Sequence, residues 1–249
     1  MIKSTIDLID KLMSQWNRIG TLFSGAPATE TPDLERLVLD TVRIAAHNDR
    51  LFTMAATWLN QYGEMLARHR FKRMITNELD FEDRPVMGLL LGIAQQNNTY
   101  FQFKTFFDLL KPSSNREPRP LFDLTGCGPA MFRRAERRAS AISKEWGLWT
   151  DPIEFKFDAI RPENWIMKHN PEFTQRTYFK GDMRASIMAA LRYDKNAGDS
   201  ESALAAASGG SRTQVHQALR NLARLNHVTR TPAPGKKTHI DLTAPVCAA

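Results

Sequence analysis

Apolar residues recur at three- and four-residue spacing through most of the first hundred positions, the period of helices that bury one face. Leu8, Ile9, Leu12, Met13 and Trp16 form one stripe, with Lys3, Asp7, Lys11, Gln15 and Arg18 elsewhere around the wheel. Thr31-Pro32 offers a cap and a first-turn proline for a second helix through Leu34, Leu37, Val38, Val42 and Ile44. A longer helical stretch runs from Leu51 to Leu79, with a break expected near Tyr62-Gly63. Pro85 opens another helix through Val86, Leu89, Leu90 and Ile93, and Phe101 to Leu110 is a short aromatic-rich one. Residues 111–120, KPSSNREPRP, carry three prolines and little apolar content, which fits a linker or an exposed loop. A helix from Pro129 to about Trp146 follows. Ile153, Phe155 and Phe157 then alternate with Glu154 and Lys156, the pattern of a short strand. The aromatics from Trp146 to Phe179 read as core area more readily than as a platform for stacked bases, because no ordered base-stacking motif accompanies them.

The last seventy residues have the sharpest punctuation. Asp182 can cap a helix with Met183, Ile187, Met188 and Leu191 on one side, ending near Tyr193 before a polar loop. Ser200 to Ala207 is a short alanine-rich helix that Ser208-Gly209-Gly210 breaks. Ser211 and Gln214 make a capping-box pattern for a third helix, whose buried stripe is Val215, Leu219, Leu222, Ala223 and Leu225. Val228–Thr231 and Thr238–Thr243 flank the turn 232–237, PAPGKK, and read as two strands joined by a basic tip. This order, with Leu204-Ala205, Gly209, Ser211-Arg212-Thr213-Gln214-Val215, Leu219, Leu222 and Val228, resembles the winged helix-turn-helix superfamily, as in bacterial transcription regulators of the MarR-like and GntR-like kind. The resemblance covers residues 181–243. It implies a fold that is mainly α, a multi-helix N-terminal region followed by a C-terminal winged helix-turn-helix with a two-stranded β-hairpin. Gly210 departs from the superfamily, which usually has an apolar residue there, and looser packing of the second helix against the third is expected.

Charge sharpens the picture. The chain of 249 residues has 34 Lys and Arg against 27 Asp and Glu, a formal +7. Between Ser211 and Ile240 stand Arg212, Arg220, Arg224, Arg230, Lys236 and Lys237 with no acid, so the basic excess is concentrated there. Arg212, Thr213, Gln214, His216 and Gln217 are polar side chains at the start of a helix that could read base edges in a major groove. Ser211 and the helix N-terminus could hold a phosphate. Arg220 and Arg230 add phosphate contacts, and Lys236 and Lys237 would reach along the backbone or into the minor groove. A second basic cluster, Arg133, Arg134, Arg137 and Arg138, has Glu136 and Glu145 nearby and reads as an exposed helix face before it reads as a second phosphate-contact surface.

Chemistry-bearing motifs are missing. The sequence contains no phosphate-loop, dinucleotide-binding, zinc-protease or nucleophile-elbow signature, and Cys127 and Cys247 have no metal-ligand spacing. Asp80, Glu82 and Asp83 lie near one another in sequence, a set a metal-dependent nuclease could use. Their place at a helix start, where acids are favoured anyway, argues for a structural role. No apolar run approaches the length of a membrane span, the longest being Val86 to Ala94. The resulting expectation is a cytoplasmic, non-enzymatic, sequence-specific DNA-binding protein without cofactor or metal, divided into a helical domain (1–110), a linker, helix and aromatic-rich connector (111–180) and the winged helix (181–249). Double-stranded DNA is the expected partner, with a homodimer and an unidentified protein or small-molecule effector at the N-terminal helices left open. The alternative is an adaptor or scaffold of a toxin-antitoxin or phage-defence assembly whose winged helix docks protein.

Overall fold

A computed structural model describes residues 2–97, 103–111, 117–231 and 238–243. It is mainly helical, with a small antiparallel two-stranded sheet near the C-terminus. The chain forms two compact units, residues 1–64 with 78–173 and residues 65–77 with 174–249.

In the first unit, α1 (Ile2–Arg18), α2 (Leu34–Ile44) and α3 (Asp49–Tyr62) pack in sequence. Asp33, two residues beyond the expected Thr31, caps α2 by accepting from the Arg36 N–H, while the Thr31 hydroxyl bonds Asn170 and Glu172. Trp16 and Trp58 meet edge to face at 5.7 Å, and both indole N–H groups are used: Trp16 donates to Thr41 Oγ1 at 2.9 Å and Trp58 to the Ile19 carbonyl at 2.9 Å. The rings supply apolar area without stranding a donor. After α4 (Arg68–Glu78), which packs in the second unit as far as residue 77, come α5 (Arg84–Ala94) and α6 (Lys104–Leu110). Gly88 and Gly92 lie one turn apart on α5 and make a slot for the Trp146 ring and Ile142; a Cβ on Gly88 would fall inside the Trp146 ring contacts.

The remainder of the unit corrects three readings. Arg119–Pro120 (β1), at the end of the stretch expected to be a linker or an exposed loop, pairs in parallel with Leu148–Trp149 (β2). The helix from Pro129 is two helices, α7 (Pro129–Arg138) and α8 (Ala141–Glu145), because Ser140 caps the second by accepting from the Ser143 N–H. Ile153–Phe157 is not a strand: it has no partner strand among the described residues, and the Lys156 N–H is taken by the Thr57 hydroxyl. α9 (Glu163–His169) closes the unit. Among the aromatics of the connector, Trp146 and Phe173 are buried as core, whereas Phe157 is half exposed.

The second unit contains α10 (Thr174–Phe179), α11 (Met183–Tyr193), α12 (Glu201–Ser208), α13 (Arg212–Arg224) and the antiparallel pair β3 (Val228–Thr231) and β4 (His239–Leu242), in register Val228 opposite Leu242. The expected caps are in place: Asp182 accepts from the Arg184 and Ala185 N–H groups, Ser200 from Ala203, and Ser211 and Gln214 form the full capping box. α4 belongs here for specific reasons. Its Arg70 is 1% exposed and forms two charge-assisted bonds to the Asp194 carboxylate, at 3.1 and 3.2 Å. The Ser186 hydroxyl accepts from the backbone N–H of His69 and Arg70, and Arg176 donates to the Met65 carbonyl. Burial holds the His69 imidazole below the usual histidine range, Lys72 and Arg68 adding to the effect and Asp182 opposing it.

Candidate nucleic-acid interface

α13 is anchored by one dry face and presents the other. Val215, Leu219 and Leu222 are fully buried in a cluster with Ile187, Leu204, Val228 and Ile240. At 100° per residue, His216, Arg220, Thr213, Arg224 and Gln217 span about 100° of the opposite side, and all five are exposed. Arg224, not singled out as a contact from the sequence, therefore shares a face with Arg220; Leu225, expected in the buried stripe, is 51% exposed. No Asp or Glu lies between Arg212 and Arg224.

The turn before this helix is tight. Gly209 has φ +77°, and a Cβ there would strike the His69 carbonyl of α4. A Cβ on Gly210 would collide with the Cε and Sδ of Met183. The thioether of α11 thus fills the space beside Gly210 where looser packing is expected: a long flexible side chain on a neighbouring helix supplies the missing volume.

The candidate contacts differ in how free they are. Gln214 uses its side-chain oxygen on the Ser211 N–H at 3.0 Å, leaving its amide NH₂ for other partners, while Ser211 Oγ accepts from the Gln214 N–H. Arg212 and Thr213 carry first-turn N–H groups that the helix cannot satisfy. His216 and Arg230 converge on Glu201 at the start of α12, His216 Nδ1 at 3.1 Å and Arg230 Nη2 at 3.0 Å. Glu201 is ten residues before the acid-free window, so a linear charge count misses it; folding makes it the countercharge between α13 and β3. Beside it, Ser200, Glu201, Ser202, Arg230, Thr238 and Ile240 line a groove of about 330 Å³. Arg184 of α11, also unforeseen, donates to Asn221 Oδ1 at 3.1 Å, bonds Asp182 and lies over the Phe179 ring at 4.5 Å, holding the C-terminal half of α13. Lys236 and Lys237 lie outside the described residues.

Charge divides unevenly between the units. The second has fifteen Lys and Arg against five Asp and Glu, +10; the first has nineteen against twenty-two, −3. The terminal helix and hairpin do not account for all of this excess: Arg68, Arg70, Lys72 and Arg73 of α4 raise the total.

Elsewhere, the described residues gather no group of three or more His, Cys, Asp and Glu side chains able to hold a metal, and Asp80, Glu82 and Asp83 are not brought together as one. Asp83 is instead pushed above the usual carboxylate range, by burial first and the Asp80 charge second. No described helix is long and apolar enough to cross a membrane. Compared with protein-family models, curated proteins and solved structures, the chain matches none.

Proposed function

We propose that this protein is a sequence-specific DNA-binding regulator of transcription whose second unit acts as a winged helix-turn-helix. The observation that carries the reading is the outward face of α13, where Thr213, His216, Gln217, Arg220 and Arg224 stand together without an acid on the helix, backed by a buried apolar stripe. In this reading α13 enters the major groove; Thr213, Gln214 and Gln217 meet base edges, and Arg212, Arg220 and Arg224 meet phosphates. Ser211 and the free first-turn N–H groups hold a backbone phosphate. The hairpin acts as the wing, and Lys236 and Lys237 fall between its two strands in the sequence. A single module buries roughly 600–1,000 Å², so operator-grade affinity calls for a second copy of the chain on a paired half-site.

Selection of bound fragments from a random duplex pool tests the reading. A common sequence motif is expected, and Thr213→Ala with Gln217→Ala should abolish the enrichment. Replacing Lys236 and Lys237 with glutamine should flatten the dependence of log K on log salt by up to about 2. One observation favours protein docking: Glu201 already engages His216 and Arg230. An adaptor would show no selected motif and no low-salt duplex binding, and would retain a protein partner.

A further inference from the structure

Helix α7 is the exception to the first unit's acidity. It carries Arg133, Arg134, Arg137 and Arg138 against the single Glu136, whereas the other residues of that unit hold fifteen Lys and Arg against twenty-one Asp and Glu. None of its residues is fully buried. On the helical wheel the four arginines span about 140°; Met131, Ala135 and Phe132 occupy the other side, and Glu136 falls beyond Phe132. Ala135 is the half-buried contact and lines a cavity of about 300 Å³ with Pro120, Phe122 and Trp149, so the helix meets the body of the unit through that residue. Arg133, Arg134 and Arg137 are exposed. Glu145, near them in sequence, is on α8 and not on this helix. Arg138 is held by Asp151 at 2.7 Å, and no ion partner faces Arg133, Arg134 or Arg137 among the described residues.

We infer that this face is a second nucleic-acid contact, one that grips the phosphate backbone without reading sequence. Guanidinium groups match phosphate oxygens bidentately and are weakly hydrated, so a row of exposed arginines suits a polyanion. Two features disfavour an anionic membrane. Met131 and Phe132 are exposed, at 43% and 40%, but two large apolar side chains on a ten-residue helix give little to insert between lipids. The contact does not depend on α13 reading an operator, since it needs charge and not base sequence. It would also hold a regulator on DNA between specific sites.

The test is a salt titration of the full chain on a mixed-sequence duplex of about 30 base pairs, wild type against Arg133→Gln/Arg134→Gln/Arg137→Gln. Arg138 is kept because its ion pair belongs to the fold, and thermal unfolding checks that the triple variant is intact. If all three arginines displace counterions, the log–log slope falls by about 2.7 and the affinity ratio between about 50 and 200 mM salt shrinks about 40-fold. An unchanged slope overturns the inference. So does a variant that keeps the slope but loses binding to phosphatidylserine vesicles, which assigns the face to lipid. The Thr213→Ala/Gln217→Ala variant, which alters base-edge contacts and no phosphate contact, separates this inference from the regulator reading. If it loses motif selection yet keeps the slope that the α7 triple removes, both stand. Where the wild type selects no motif but the α7 triple still flattens the slope, the regulator reading falls and the inference remains.

Discussion

The two units solve the folding problem with different materials. The first is built on large rings with satisfied N–H groups and on a glycine slot in α5 filled by Trp146, and it carries a net −3. The second has a core of small and medium aliphatics around Val215, Leu219 and Leu222, carries +10, and joins α4 to α11 through a buried Arg70–Asp194 pair. A charge of this size costs compact-state stability through self-repulsion while drawing in polyanions. The second unit's positive excess therefore works against its compact state, and its few acids matter more than acids in the first.

The largest expected effect is on Asp194→Ala, which leaves Arg70 buried without its carboxylate and should cost the second unit about 3 kcal/mol, read as a lower denaturant midpoint. A negligible loss there would show that water or other groups compensate Arg70, and the contrast would weaken. Gly88→Ala sets a methyl against the Trp146 ring and should destabilise the first unit by about 2 kcal/mol; hydrogen exchange should report the loss in α5 and α8. Glu201→Gln frees His216 and Arg230 and should tighten low-salt duplex binding about threefold, with less gain as salt rises. Weaker binding would mean that Glu201 positions those side chains more than it neutralises them.

The smallest effect concerns pH. The folded pKa of His69 lies below its unfolded value of about 6.5, so the unfolded chain binds the proton more readily. Stability is thus full above 6.5 and declines as pH falls from there to the depressed folded value. Unfolding followed from pH 7.5 to 5 should show this decline, and His69→Gln should reduce it.

The second unit's local elements were legible because caps are local. Asp182, Ser200 and the Ser211/Gln214 box each act within three residues and mark helix starts that the structure keeps. Long-range partners were not. Arg70 and Asp194 are 124 positions apart, and a buried arginine on a polar helix reads like any solvated one. Met183 filling the space at Gly210 depends on where α11 passes, which no spacing rule reports. Alternation at Ile153–Phe157 gave a face but no partner strand, and the Ser140 cap inside an otherwise continuous helical pattern was overlooked. For the candidate interface, the exposed polar positions of α13 could be read from their period, whereas the Glu201 countercharge could not.

The unit bearing α13 is not one uninterrupted stretch of polypeptide, since residues 65–77 are borrowed from far upstream. Cutting the gene anywhere after that segment discards the Arg70 partner of Asp194 and the backbone amides that Ser186 receives. A domain dissected at residue 181 should thus be poorly soluble or molten, while the same fragment supplied with a peptide of residues 65–77 should regain its fold, as split proteins do when their halves are mixed.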